Sequence, residues 1–173
     1  MTLMPPPNAA LKLVDLRDIK VAIGVDPPNG IAILPIDGKL PSVCTVSSLT
    51  QLDRLLRKFM AEFTVVVCGY EFAVLANRAT QAHHAKTAAV CLQAIGVVEA
   101  ACGQFLVPMI GVSAQGAKHA ATGNRSASKE QVRDAMTDKY KVYNFNELHE
   151  SDALAIADVA LDRFIKGKGT VPT

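Results

Sequence analysis

Two acidic residues each close an apolar run of the sequence. Asp26 follows "VAIGV" and Glu71 follows "VVVCGY". A carboxylate at the end of a buried strand is costly to desolvate unless a cation or a hydrogen-bond donor compensates it. A further pair, His149 and Asp152, has the i, i+3 spacing that places two side chains on one face of a helix. Carboxylate and imidazole groups of this kind predict a site for divalent metal ions, and Mg²⁺ or Mn²⁺ accepts such oxygen ligands.

The same residues also have simpler interpretations. Asp26 alone could begin an exposed Asp-Pro turn, and Glu71 alone could interact with the dipole at the start of the next helix. His149 could be an exposed histidine in a first helical turn, and Glu147 or Glu150 beside it would then supply the last ligand. The sequence leaves this choice of ligand open.

The order of the predicted elements explains how such distant residues could meet. Apolar, β-branched runs between turn residues predict strands, and apolar residues repeating every three to four positions predict helices. The predicted strands are 20–26, 30–35, 40–46, 64–71 and 104–112, and the predicted helices are 47–63, 74–102, 127–138 and 147–166. This order indicates an α/β fold, an RNase H-like mixed five-stranded sheet with helices on both faces. The strands that end at Asp26 and Glu71 would then be neighbours.

Length and composition favour one soluble domain. The chain has 173 residues, half of them hydrophobic, and its formal net charge is only +2, so the overall charge does not indicate a nucleic-acid partner. We expect an N-terminal extension at 1–18, the RNase H-like domain at 19–168 and a C-terminal tail at 169–173. No export signal is evident, and the cysteines lack disulfide or metal-site spacing, which predicts reduced core thiols in a cytoplasmic protein. These cysteines are Cys44, Cys68, Cys91 and Cys102.

The local distribution of charge is more informative. No acidic residue occurs between positions 72 and 98, where Arg78 lies. A second basic stretch, from 118 to 141, contains Lys118, Arg125 and Lys129. Charges of this kind are usually solvated surface groups, but next to a metal site they are candidates for contacts with phosphate.

Four segments resemble the RuvC-type Holliday junction resolvases. "IGVDP" resembles the family's first-strand motif around its first catalytic Asp, and Glu71 falls where the second acid is expected. "LQAIG", residues 92–96, is similar to the Q-A-R-G helix, with Ile95 in place of Arg. "KHAATGNRSASKEQV", residues 118–132, matches a Lys, then T-G or V-G, then A-x-K-x-Q-V. "HESDALAIA" resembles the D-A-A-D-A-L-A-I-A ending, with His149 at the position of the third ligand.

This resemblance implies a metal-dependent endodeoxyribonuclease that resolves four-way (Holliday) DNA junctions by paired nicks in recombination and repair. The products would carry 5′-phosphate and 3′-hydroxyl ends. Two Mg²⁺ or Mn²⁺ ions would be bridged by Asp26, and Glu71, His149 and Asp152 would complete their ligands. Lys129 would act as a catalytic group that holds the phosphate or offsets charge in the transition state.

The resemblance also implies a homodimer, because a four-way junction has two strands to cut in symmetric positions. The residues expected to contact DNA are Lys118, Lys129, Arg125, Arg78 and Phe72. Pro28 replaces the glycine usual after D-P, and Val74 stands where the family has an aromatic residue associated with unstacking bases. Phe72 is therefore the candidate substitute for that aromatic residue.

Two other functions share part of this pattern. A less selective nuclease of the same fold, which cuts flaps or forks, would carry every one of these motifs. A non-catalytic protein that binds branched DNA would keep the basic stretches and lose the metal. The retained acids argue against the second alternative.

Overall fold

The computed structural model describes residues 15–27, 29–72, 81–142 and 145–167. A short 3-10 helix, Leu16–Asp18, precedes the first strand. The strands are β1 (Lys20–Asp26), β2 (Gly30–Pro35), β3 (Ser42–Thr45), β4 (Thr64–Glu71) and β5 (Met109–Val112). The helices are α1 (Leu49–Glu62), α2 (Gln81–Phe105), α3 (Ala114–Thr122), α4 (Lys129–Tyr140) and α5 (Leu148–Ile165).

The strands form one mixed sheet in the order β3-β2-β1-β4-β5. β1 is antiparallel to β2 and parallel to β4, and β4 is parallel to β5. The predicted five-stranded mixed sheet is therefore confirmed. Val25 lies opposite Tyr70 in the β1–β4 register, so the next residue on each strand, Asp26 and Glu71, ends the strand at the same edge of the sheet.

Both catalytic candidates on the sheet point to the face that α5 covers. Gly24 and Gly69 lie against the backbone of α5, whereas Ile23 belongs to the core on the other face, under α1 and α2. Because side chains alternate along a strand, residues two positions beyond these glycines share their face. Asp26 and Glu71 are those residues.

Glycines allow α5 to lie with its backbone directly on the sheet. A Cβ atom at Gly24 would be 2.0 Å from the carbonyl oxygen of Ala153 and 2.5 Å from the amide nitrogen of Ala157. A Cβ atom at Gly30 would be 2.2 Å from the carbonyl oxygen of His149. These distances are shorter than any ordinary contact with a Cβ atom, so any other residue would lift the helix off β1 and β2. The distance between α5 and the sheet is thus set by glycines, which have no side chain to hold the helix away.

The structure corrects the predicted elements around β5. The strand expected at 104–112 begins only at Met109, because α2 continues to Phe105 and Leu106 then takes a left-handed conformation with φ of 55°. α3 was not predicted, although Ser113 caps its first turn and Gly123 ends it with φ of 75°. Positions 74–80 of the predicted second helix lie outside the described residues.

Candidate active site

The first strand and the last helix meet at three side chains. Asp26 at the end of β1 is buried, and its Oδ2 lies 2.6 Å from Nδ1 of His149 in the first turn of α5. Asp152 follows three residues later on the same helix. Each of the three residues offers one ligand atom, and these atoms all lie within 4.8 Å of one another. We call these three residues and Lys129 the catalytic cluster.

Lys129 enters the cluster from α4. A reciprocal capping box starts this helix, in which Ser128 accepts the amide of Gln131 and Gln131 accepts the amide of Ser128. The cap makes Lys129 the first residue of the helix. Its Nζ lies 3.0 Å from Oδ2 of Asp152 and 3.5 Å from Nδ1 of His149. An ammonium group at these distances offsets the negative charge of the carboxylates.

Glu71 lies beside the cluster, but it does not belong to the group of ligand atoms within 4.8 Å of one another. Burial raises the pKa of Glu71 to about 7, and the charges of Asp26 and Asp152 add to this increase, whereas Lys129 and Lys118 oppose it. These influences place Glu71 and Lys118 in the electrostatic field of the cluster. Glu71 can therefore exchange a proton near neutral pH.

The pKa of Asp26 is also raised, first by burial. The hydrogen bond from His149 lowers the pKa, and the negative charge of Asp152 raises it. Such a carboxylate is stabilised in its ionised form by any further cation. Two carboxylates and an imidazole within 4.8 Å form a donor set that suits a divalent metal ion.

The two glutamates considered as alternative ligands lie elsewhere. Glu150 is buried, and its two carboxylate oxygens accept hydrogen bonds from Thr45 and from the amide of Asn146. Glu147 is exposed and precedes the first residue of α5 without a side-chain cap hydrogen bond. The geometry favours His149 as the ligand from this turn, and this assignment remains a prediction.

The other predicted DNA contacts are more dispersed. The ring of Phe72 lies against Gly111, on the face of the sheet opposite Glu71, and the residue is 38% exposed. Arg125 is exposed and lines a groove with residues of α4 and α5, among them Lys139 and Arg163. Neither residue joins the cluster in the part of the chain that the structure describes. Arg78 lies outside the described residues.

Two neighbours of the site were missed or misplaced by the sequence analysis. Nothing in the sequence marked Glu150 as a buried hydrogen-bonding group. Cys91 was expected in the core, but it is only partly buried, and its Sγ lies 3.9 Å from the carbonyl oxygen of Pro27, just after Asp26. Cys44 is also partly buried, whereas Cys68 and Cys102 are fully buried as expected.

The fold and the site together define a class of protein. A mixed sheet of this order, with carboxylates ending adjacent strands and a His/Asp pair on the last helix, is typical of metal-dependent nucleases with an RNase H-like fold. Residues 29–159 match a protein family described as crossover junction endodeoxyribonuclease RuvC. The chain belongs to this family, and the resemblance inferred from its motifs is confirmed. It is a hydrolase, a crossover junction endodeoxyribonuclease that resolves Holliday junctions in DNA recombination and repair.

Solved structures show the same fold at low sequence identity. The chain is similar to RuvC of Thermus thermophilus, with 19% identity, a TM-score of 0.65 and coverage of 88% of this chain and 98% of the other. A second structure, T. thermophilus RuvC in complex with a Holliday junction substrate, has 18% identity, a TM-score of 0.66 and the same coverage. A comparison with curated protein sequences finds no match.

Proposed function

We propose that this chain cleaves four-way junctions with Mg²⁺ or Mn²⁺ held by Asp26, Glu71, His149 and Asp152, two ions per site. The observation that carries the proposal is that Asp26, His149 and Asp152 each offer a ligand atom and that these atoms lie within 4.8 Å of one another. When bound, such ions make the attacking water more acidic and stabilise the leaving 3′ oxygen. Lys129 then orients the scissile phosphate, because its ammonium group already lies at the carboxylates.

Cleavage of labelled substrates tests this function. A synthetic four-way junction, a flap and a linear duplex of matched sequence are incubated with the protein and Mn²⁺ or Mg²⁺. We expect paired nicks in the junction, with 5′-phosphate and 3′-hydroxyl ends that ligase can seal. Equal cleavage of the flap would favour the less selective nuclease. Binding of the junction without any cleavage would favour the non-catalytic protein.

The contacts with DNA remain predictions at Lys118, Arg125, Arg78 and Phe72. Lys118 has the strongest support, since its positive charge is close enough to Glu71 to lower the pKa of that carboxyl group. Phosphate contacts of this kind release counterions, so binding should weaken steeply with salt. The cytoplasm is the expected compartment of the protein. The nuclease domain is expected to extend over residues 19–168.

The imidazole of His149 should make the site prefer manganese. Nitrogen is a softer ligand than a carboxylate oxygen, and Mn²⁺ tolerates it better than Mg²⁺ does. His149→Asp should keep activity and shift the preference towards Mg²⁺. His149→Ala should lower the cleavage rate about tenfold or more, because loss of a ligand costs no less than loss of a group that orients one. Rates at limiting concentrations of each metal measure the effect.

A matched control for these variants is His119→Ala. His119 is exposed on α3 and lines the groove of Arg125 instead of the catalytic cluster. This variant should keep the metal preference of the wild type. Normal cleavage by His149→Ala in Mg²⁺ would instead show that His149 is not a ligand.

The binding of metal should depend on pH through Glu71. A proton and a metal ion compete for this carboxylate, and its pKa is raised to about 7. The raised pKa means that the carboxyl holds its proton at acidic pH and loses it as the pH rises through 7, so the affinity for Mn²⁺ should increase between about pH 6 and about pH 8. Calorimetric titration at several pH values measures this slope. Glu71→Gln should flatten it, and an unchanged slope in this variant would contradict the role of Glu71.

The exposed face of α2 is the expected dimer interface. Residues 88–105 are long and apolar enough to cross a membrane by length and composition, yet only 22% of this window is buried. Leu92 is 62% exposed on this helix, and a Cβ atom at Gly96 or Gly103 would meet nothing within 4 Å. Glycine inside a helix costs about 1 kcal/mol relative to alanine, and packing within the described chain gives no reason for it. Close approach of a second copy would supply that reason.

Leu92→Glu should therefore convert the dimer into monomers. The added charge would be buried between two copies of α2 without a partner, which is strongly unfavourable. Sedimentation or light scattering at several protein concentrations measures the molecular mass. Leu40→Glu is the control, since Leu40 is 89% exposed on the turn between β2 and β3. A wild-type protein that is already monomeric would contradict the proposed dimer.

A further inference from the structure

Glu150 is a buried acid that the catalytic chemistry does not use. Only 1% of its surface is exposed. One carboxylate oxygen accepts a hydrogen bond of 2.9 Å from the hydroxyl of Thr45, and the other accepts one of 2.7 Å from the amide of Asn146. One side chain thus joins β3, the segment before α5 and the first turn of α5.

The position of Glu150 in the helix explains how its burial is tolerated. It is the third residue of α5, the position from which a glutamate in a capping box bonds back to the start of the helix. Here the bond reaches Asn146, one residue before the N-cap Glu147, which itself makes no side-chain cap. The positive end of the helix dipole also favours a carboxylate at this position. The acid is therefore compensated by neutral donors and by the helix.

These contacts fix the turn that carries His149. The carbonyl oxygen of His149 lies over Gly30, and Gly30 pairs with Thr45 in the β2–β3 register. The first turn of α5 is thus held at two adjacent points, by backbone contact at Gly30 and by the hydrogen bond from Thr45 to Glu150. The imidazole that leaves this turn reaches Asp26 at 2.6 Å.

We propose that Glu150 is a positioning residue that orients His149 towards Asp26. Without the carboxylate, the first turn of α5 loses its ties to β3 and to Asn146, and the imidazole is no longer held at its distance from Asp26. The inference rests on the proposed metal site, because the orientation of His149 matters to catalysis only if His149 is a ligand.

Three variants separate positioning from ligation and from simple stability. In Glu150→Gln, the amide oxygen can accept from Asn146 and the amide nitrogen can donate to the hydroxyl of Thr45, so both ties survive. We expect Mn²⁺ affinity and kcat within about threefold of the wild type. Glu150→Ala should weaken Mn²⁺ binding and lower kcat about tenfold or more, as loss of a group that orients a ligand does elsewhere. Thr45→Val should fall between them, and none should change KM for the junction.

The measurements are calorimetry with Mn²⁺, cleavage kinetics, thermal unfolding in EDTA, and the NMR signals of the His149 imidazole in EDTA. The NMR signals should move in Glu150→Ala and stay in Glu150→Gln, and they need neither metal nor activity. Glu147→Ala is the matched control, since this exposed glutamate lies in the same turn.

Two results would overturn the proposal. If Glu150→Gln loses Mn²⁺ binding as fully as Glu150→Ala does, Glu150 is itself a ligand. If Glu150→Ala lowers the unfolding temperature but the folded protein keeps wild-type NMR signals, Mn²⁺ affinity and kcat, the role of Glu150 is only structural. A wild-type protein that cleaves no branched DNA would refute the proposed function, and the NMR signals would still decide whether Glu150 orients His149.

Discussion

Asp26→Asn should abolish cleavage of the junction while leaving junction binding near the wild-type level. The amide keeps the shape of the side chain but removes the charge that the metal site requires. We expect the cleavage rate to fall about a thousandfold, which corresponds to about 4 kcal/mol of barrier. Single-turnover cleavage in Mn²⁺ and a binding assay in EDTA measure the two effects separately.

Asp37→Asn is the control for this change. Asp37 is an exposed acid beyond the end of β2, at the opposite end of that strand from Gly30. Its variant should cut at the wild-type rate. If Asp26→Asn retained more than about a tenth of the wild-type rate, the loss would be under about 1.4 kcal/mol, and the ligand role of Asp26 would be wrong.

Among the glycines that the structure describes, Gly24 should be the one whose change to alanine is the most damaging. The new Cβ would lie 2.0 Å from the carbonyl oxygen of Ala153, so α5 must move away from β1. Overpacking of a core typically costs about 1 to 3 kcal/mol, and contact with backbone atoms puts this variant at the upper end or beyond. A displacement of about 1 Å can lower a rate about a hundredfold, so the folded fraction should also be nearly inactive.

Chemical denaturation and cleavage kinetics together test this expectation. Ala22→Gly, on the same strand and face, is the control and should cost only about 1 kcal/mol, because it removes a methyl group instead of adding one. Ala157→Gly should not rescue Gly24→Ala, since the closest clashes are with backbone atoms of α5. A Gly24→Ala protein with wild-type stability and activity would show that α5 does not rest on β1 in this way.

The sheet was predictable because its signals are local. The β-branched runs and turn residues defined β1, β2 and β4, and the polarity change at Asp26 and Glu71 marked where two strands end. The start of β5 was predicted too early because the apolar segment "QFLV" suits the end of a helix as well as the start of a strand. In the structure, the left-handed Leu106 ends α2 before β5 begins. α3 was missed because it is only nine residues long and its sequence, AQGAKHAAT, has no large apolar side chain that would mark a buried face.

The residues that converge at the candidate site were predicted more fully than their contacts, and their roles as ligands stay predictions. The i, i+3 spacing predicted that His149 and Asp152 share one helical face. It did not predict that Glu150, the residue after His149, would bond to Thr45 of β3. The pairing of Lys129 with Asp152 depends on how α4 packs on α5, which is a property of the tertiary structure. The side of the sheet that Phe72 faces also depended on the exact end of β4.

The contact of α5 with β1 and β2 also has a consequence for the newly made chain. Asp26 and His149 are separated by 123 positions, so a ribosome has produced almost all of the described chain before these residues can meet. A nascent protein that lacks α5 carries Asp26 and Glu71 but neither His149 nor Asp152, and its glycine-lined sheet face is uncovered. From the proposed ligand roles of His149 and Asp152, we expect the nuclease to be inert while it is being synthesised and to gain the ability to cut DNA only when its last helix covers the sheet.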